Sequence, residues 1–149
     1  MKEDFINVDY LKFGNKKQQN VFKLLNRIHI FDIIEKYNPI LVGTIPIGID
    51  IDSSDLDIIC EVYNLDDFEI EVYAQNIKST EQNGYRHMII ENRILSLGGD
   101  LVRQKIIELK KSGLKTEPAF AKLLNLEGNP YDELLKLEKL NDVEIRSLL

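Results

Sequence analysis

Asp55 and Asp57 stand two residues apart where an apolar run begins, in Asp55-Leu56-Asp57-Ile58-Ile59-Cys60. On a strand, positions i and i+2 face the same side with Cα atoms about 6.5 Å apart. Carboxylates spaced in this way suit a pair of divalent metal ions ~4 Å apart, because each can reach both ions through a different oxygen. Magnesium fits such a pair, since it takes hard oxygen ligands and shares its shell with substrate phosphates and water. Upstream, Gly43-Thr44 closes the apolar run Ile40-Leu41-Val42. A glycine at that point lets a polyphosphate approach the backbone, and Thr44 offers a hydroxyl and an N–H. Gly48, Ser53 and Ser54 add further small or hydroxylated positions in between. One reading of the stretch is therefore a phosphate cradle beside a metal platform. The plainer reading is a solvated turn, because the side chains of Asp-Ser-Ser-Asp commonly bond their own backbone. The arrangement favours the first: ten residues separate Thr44 from Asp55, and an apolar run lies on either side. Both groups can then lie at the same end of an antiparallel pair.

The elements that must position these residues follow from the rest of the pattern. Asp4 to Asn38 reads as mostly helical, with Asn15 able to cap a segment in which Val21, Leu24, Leu25 and Ile28 keep three-to-four spacing. Ile33 and Ile34 continue a helical pattern to Tyr37, and Pro39 ends it by disfavouring helix at Asn38. Ile40 to Val42 reads as a strand buried on both faces, and Leu56 to Tyr63 as a second strand. Asn64 to Asp67 is a polar turn, and Phe68 to Ala74 alternates as a one-sided third strand should. Helix returns from Glu81 to Leu97 and stops at Gly98-Gly99; Asp100 caps a helix to about Lys111, with Gly113 as its stop. Thr116 and Asn129, each close to a proline in the first turn that follows, cap two more helices. The expected fold class is α+β, a small mixed sheet flanked by helices with a C-terminal helical part. One domain spans 1–149, helical over 1–38, sheet and loop over 39–75, and helical over 81–149.

Composition limits the function classes. The 149 residues carry 44% hydrophobic and 30% charged side chains, an ordinary globular balance that fits neither disorder nor a membrane protein. No apolar run approaches ~18 residues and no leader pattern opens the chain, so a cytoplasmic location without a membrane partner is expected. The formal net charge of -6, with lysines and arginines scattered, argues against duplex nucleic acid as a partner, although a metal pair can still neutralise one anionic ligand locally. Cys60 is the single cysteine and sits in an apolar run, so it reads as a core thiol.

Gly43-Thr44, ten residues and then Asp55-Leu56-Asp57 resembles the signature of the polymerase-beta-type nucleotidyltransferases. The stretches GTIPIGID, SDLDIIC, QNGYRHMIIENRIL and LKKSGLKTEPAFAKLLNLEGNPY together resemble a bacterial family of that superfamily, domain of unknown function 4269, over about Tyr10 to Leu135. The resemblance implies a nucleotidyltransferase-like fold and transfer of a nucleoside monophosphate, AMP by default, from a Mg2+-bound nucleoside triphosphate to a hydroxyl on an unknown protein or small molecule. It implies two Mg2+ ions held by Asp55 and Asp57, with Gly43 and Thr44 as phosphate contacts; the loop's own composition adds Ser54 as a further nucleotide-contact candidate. The superfamily's third catalytic carboxylate comes from a following strand, and Glu71 is its positional match.

Here the resemblance and the geometry disagree. Parallel strands need a crossover of a dozen or more residues, and only Asn64 to Asp67 lie between the second and third expected strands. A tight hairpin would set Glu71 opposite Cys60, about 10 Å along the strand from Asp57 and on the other parity. Either a crossover has been lost, leaving a crippled or repurposed site, or part of the molecule lies outside this sequence. The alternative to an enzyme is a non-catalytic nucleotide- or protein-binding module, antitoxin-like or regulatory, that keeps the fold. Smaller candidates are His87, which with Arg86 could reach a phosphate or base or could simply pack its helix, and Lys115, which reads first as helix-start grammar and second as a ligand contact. His29, flanked by isoleucines, reads as a core histidine.

Overall fold

The computed structural model describes residues 5–68 and 84–149. The chain divides into two compact units, Met1–Leu41 with Asp57–Asn83 and Val42–Leu56 with Gly84–Leu149.

In the first unit a 3-10 turn over Asp9–Phe13 leads into α1 (Lys16–Ile28). Asn15 starts α1 through a reciprocal box: its Oδ1 accepts from Gln18 N–H at 3.0 Å, and Gln18 Oε1 accepts from Asn15 N–H at 2.8 Å. Two of the four orphan donors of the first turn are thereby satisfied. Val21 and Leu25, one helical turn apart, are buried. The helical pattern expected to reach Tyr37 is broken at His29, whose φ of 52° is left-handed. A short α2 (Ile30–Ile33) and a 3-10 turn over Glu35–Tyr37 follow. His29 is not a core residue: its exposed ring has Nδ1 2.9 Å from Asp32 Oδ2. The break lets Ile30 and Ile34 turn inward to join Leu11, Leu25 and Tyr37.

Strand β1 (Ile40–Val42) pairs with β2 (Asp57–Ile59), and among the described residues the sheet is this antiparallel pair, not the mixed sheet expected. β2 is shorter than Leu56 to Tyr63. Asn64 does not open a hairpin turn. Its Oδ1 accepts from Asp66 N–H at 3.1 Å and Asp67 N–H at 3.3 Å, and residues 65–68 form a helical turn. Phe68 is therefore helical, and its ring meets Tyr37 edge to face at 4.9 Å. The expected third strand does not begin at Phe68; its remainder, with Glu71, lies outside the described residues.

The second unit is built on α3 (Gly84–Lys111), against which α4 (Thr116–Leu123), α5 (Pro130–Lys136) and α6 (Asp142–Arg146) pack. Met88, Ile94, Ile106, Phe120, Leu134 and Ile145 are almost completely buried there. Asn129 caps α5 with Pro130 as its first residue, and Asn141 caps α6 in a box with Glu144. Thr116 is the first residue of α4 and Lys115 holds the cap position, one residue earlier than expected. Arg86 grips Glu138 through Nε at 2.9 Å and Nη2 at 2.6 Å, and Arg93 Nη2 lies 2.6 Å from Asp142. No helix among the described residues is long and apolar enough to cross a membrane.

The glycine pair stops a helical run as expected, so that α3 consists of two helical runs meeting at a kink. Gly99 has φ 66° and ψ -159°, a conformation essentially confined to glycine. Alanine in a regular helix is favoured over glycine by roughly 1 kcal/mol. At Gly99 the sign reverses, and Gly99→Ala is expected to destabilise the protein by about 1–3 kcal/mol in urea denaturation. A gain in stability would mean that the break is not a property of the folded state in solution.

Candidate functional site

The connection between the strands, residues 43–56, is a folded insertion in the second unit. Gly43 leaves β1 at φ 86°, and Ile49 N–H bonds Thr44 C=O at 3.1 Å while Gly48 N–H bonds Ile45 C=O at 3.1 Å. Gly48, at φ 66°, completes this turn. Ile45, Ile47 and Ile49 are each under 5% exposed and Pro46 is buried between the first two, so the segment anchors itself through its apolar side chains. A buried loop must find donors for its carbonyls. Arg103 Nη1 donates to Ile47 C=O and, at 3.0 Å, to Gly48 C=O; Lys110 Nζ donates to Ile49 C=O at 2.9 Å. Lys110 is only 6% exposed.

Of the residues singled out in the sequence, Gly43, Thr44, Ser54, Asp55, His87 and Lys115 belong to this second unit and Asp57 to the first. Asp55 and Asp57 are exposed, Asp57 being the first residue of β2. Ser54 closes a local turn: its Oγ accepts from Ile51 N–H and its N–H bonds Ile51 C=O, both at 2.9 Å. That part of Asp52-Ser53-Ser54-Asp55 behaves as the plain turn reading anticipated. Lys115 is exposed at the start of α4. Cys60 is half-buried, and burial pushes its thiol above the ordinary range. Among the described residues no three His, Cys, Asp or Glu side chains cluster as metal ligands would.

His87 is engaged inside the unit. It is 7% exposed, and its Nε2 lies 2.9 Å from Tyr131 C=O. A carbonyl only accepts, so Nε2 carries the hydrogen and Nδ1 faces the Glu117 carboxylate at 3.9 Å. One turn further along α3, Glu91 is 3% exposed, and its Oε1 has no hydrogen-bond partner among the described residues. Burial, followed by the neighbouring Glu117 carboxylate, pushes the Glu91 carboxyl up to about 8, while Lys110 pulls the other way. Glu91, Arg103 and Lys110 escaped the sequence reading. A signal was present, since Val102, Ile106 and Lys110 recur every four residues, which puts a lysine on the apolar face.

Two stretches of the chain, residues 23–69 and 63–137, match the profile of domain of unknown function 4269, DUF4269. The chain belongs to that family. The two matches meet at residues 63–69, where β2 gives way to the helical turn of residues 65–68. No curated protein and no solved structure matches the chain.

The buried acid of this DUF4269 protein makes a prediction about pH. Glu91 keeps its proton in the folded chain up to about 8, whereas the unfolded chain loses it near 4.5. A carboxyl raised in this way contributes its full stability below 4.5, and that contribution is lost as pH rises toward about 8. The slope reaches about 1.4 kcal/mol per pH unit. Glu91→Gln cannot ionise, so its urea midpoint is expected to fall less than that of the wild type between pH 5 and pH 8.5. Equal falls in the two proteins would show that Glu91 does not carry this pH dependence.

Proposed function

We propose that the chain is a metal-dependent nucleotidyltransferase-like protein that binds a nucleoside triphosphate along residues 43–57 and passes a nucleoside monophosphate to a hydroxyl acceptor. The observation that supports this best is the form of the connection. Gly43, at positive φ, leaves β1; the turn after it is closed by backbone bonds and braced from α3; and the chain re-enters the antiparallel partner strand through exposed Asp55 and Asp57. A loop with a fixed backbone and no side chain at Gly43 suits close approach of phosphate oxygens, and the Thr44 hydroxyl suits a hydrogen bond to them.

The donor set fits magnesium in one form only. Among the described residues no three His, Cys, Asp or Glu side chains form a ligand cluster. One or two carboxylates completed by phosphate oxygens and water is the arrangement that magnesium commonly adopts, and Asp55 and Asp57 are the residues that would hold it. When bound, the ion supplies charge neutralisation on the triphosphate. Glu71 is the proposed third carboxylate.

A second reading, a nucleotide- or protein-binding module without transferase activity, is favoured by one observation. Residues 65–68 form a helical turn, so Phe68, where the strand carrying Glu71 was expected to begin, is helical.

Titration with ATP in the presence and absence of Mg2+ tests both readings. The expected result is magnesium-dependent binding that weakens by roughly tenfold or more in Asp55→Asn with Asp57→Asn. Labelled ATP offered with cell extract then separates them: label moving to an acceptor supports the enzyme, and binding without transfer supports the module. Binding that ignores both magnesium and the two aspartates would defeat the metal-site proposal.

A further inference from the structure

Three consecutive carbonyls, those of Ile47, Gly48 and Ile49, receive hydrogen bonds from two cations on the second half of α3. Arg103 and Lys110 are seven residues apart, two helical turns, so they project from one face of that helix. Neither belongs to the acidic and glycine motifs around the connection. Both act on its backbone, which is a more specific role than filling space. The carbonyls they satisfy lie within or directly beside the turn that Thr44 closes by accepting from Ile49 N–H. Ile49 thus links the two sets of bonds: its N–H fixes Thr44, and its carbonyl is fixed by Lys110. Removing either cation leaves a carbonyl of a loop with three buried isoleucines without that donor, and the turn must open to find water.

We propose that Arg103 and Lys110 are positioning residues, holding the Thr44–Ile49 turn in the shape in which Gly43 and Thr44 receive the phosphates of the nucleotide. The inference rests on the nucleotide reading of residues 43–57 and adds to it the residues that set the loop. The carbonyl of Ile49 is one acceptor that holds the ammonium.

The test uses the full chain and four variants: Lys110→Met, which keeps the aliphatic stem; Arg103→Met; Arg103→Lys, which keeps a charged donor; and Leu134→Ala, a core control in α5. Amide hydrogen exchange over residues 43–56, Mg-ATP affinity by titration and a thermal melt are recorded for each. Lys110→Met and Arg103→Met are expected to speed exchange of the Gly48 and Ile49 amides by roughly tenfold, with α5 unchanged. Their Mg-ATP affinity is expected to fall by roughly tenfold, with Arg103→Lys staying within about threefold of wild type. Leu134→Ala is expected to lower the melting temperature without selectively loosening the loop, which separates positioning from general stability. If Lys110→Met fails to fold, the Arg103 pair decides. Unchanged loop exchange in Arg103→Met overturns the inference. If the wild type binds no Mg-ATP, the nucleotide reading fails first; if it binds and Arg103→Met binds equally well, that reading stands and this inference alone falls.

Discussion

Burying the carbonyls of a loop and burying an ammonium are each costly alone, and the bond from Lys110 to Ile49 offsets one cost with the other. The connection 43–56 can lodge its isoleucines in the second unit only because donors wait for its backbone there. The same requirement explains why a lysine and an arginine occupy a stretch of α3 that otherwise presents Val102 and Ile106. A hydrophobic replacement would pack, but it would leave polar groups without partners, which costs more than the hydrogen bond is worth on its own.

One polar side chain of the connection shares in holding its backbone, since Ser54 Oγ accepts from Ile51 N–H at 2.9 Å. Asp55 and Asp57 stay exposed, in contrast to Arg86 and Arg93, whose charges are tied to Glu138 and Asp142 between helices. His87 stands on the other side of the distinction. Its Nε2–H is committed to Tyr131 and its other nitrogen faces Glu117, so it serves the helical core.

Local grammar was legible in the sequence where the interaction is itself local. Asn15 as a helix cap, Asn129 before Pro130, and the glycine pair in α3 act within a few residues, and each left its expected mark on the structure. The strand from Ile40 to Val42 was equally plain. Non-local effects were not legible. His29 sits among isoleucines yet points outward, because a left-handed backbone at that one residue redirects the chain, a choice made by how Ile30 and Ile34 pack. Phe68 looked like the start of a strand until Tyr37 supplied a ring for it to meet. The connection looked polar because its aspartates and serines draw attention, while the alternation of Ile45, Ile47 and Ile49 marked it as half core. The spacing of Lys110 from Val102 and Ile106 places it on the apolar face, but the acceptor that lets it be buried is 61 residues away and no local rule names it.

That separation also shapes how the chain comes to be folded. Residues 42–56 leave the ribosome well before Arg103 and Lys110 exist, and the bonds that join them span 55 to 61 residues. Contacts of such long range form late, because the entropy of closing the intervening chain comes due before they can reward it. In the interval the Ile45-Pro46-Ile47 stretch is an exposed apolar segment, with the proline as its only guard against pairing with a neighbouring chain.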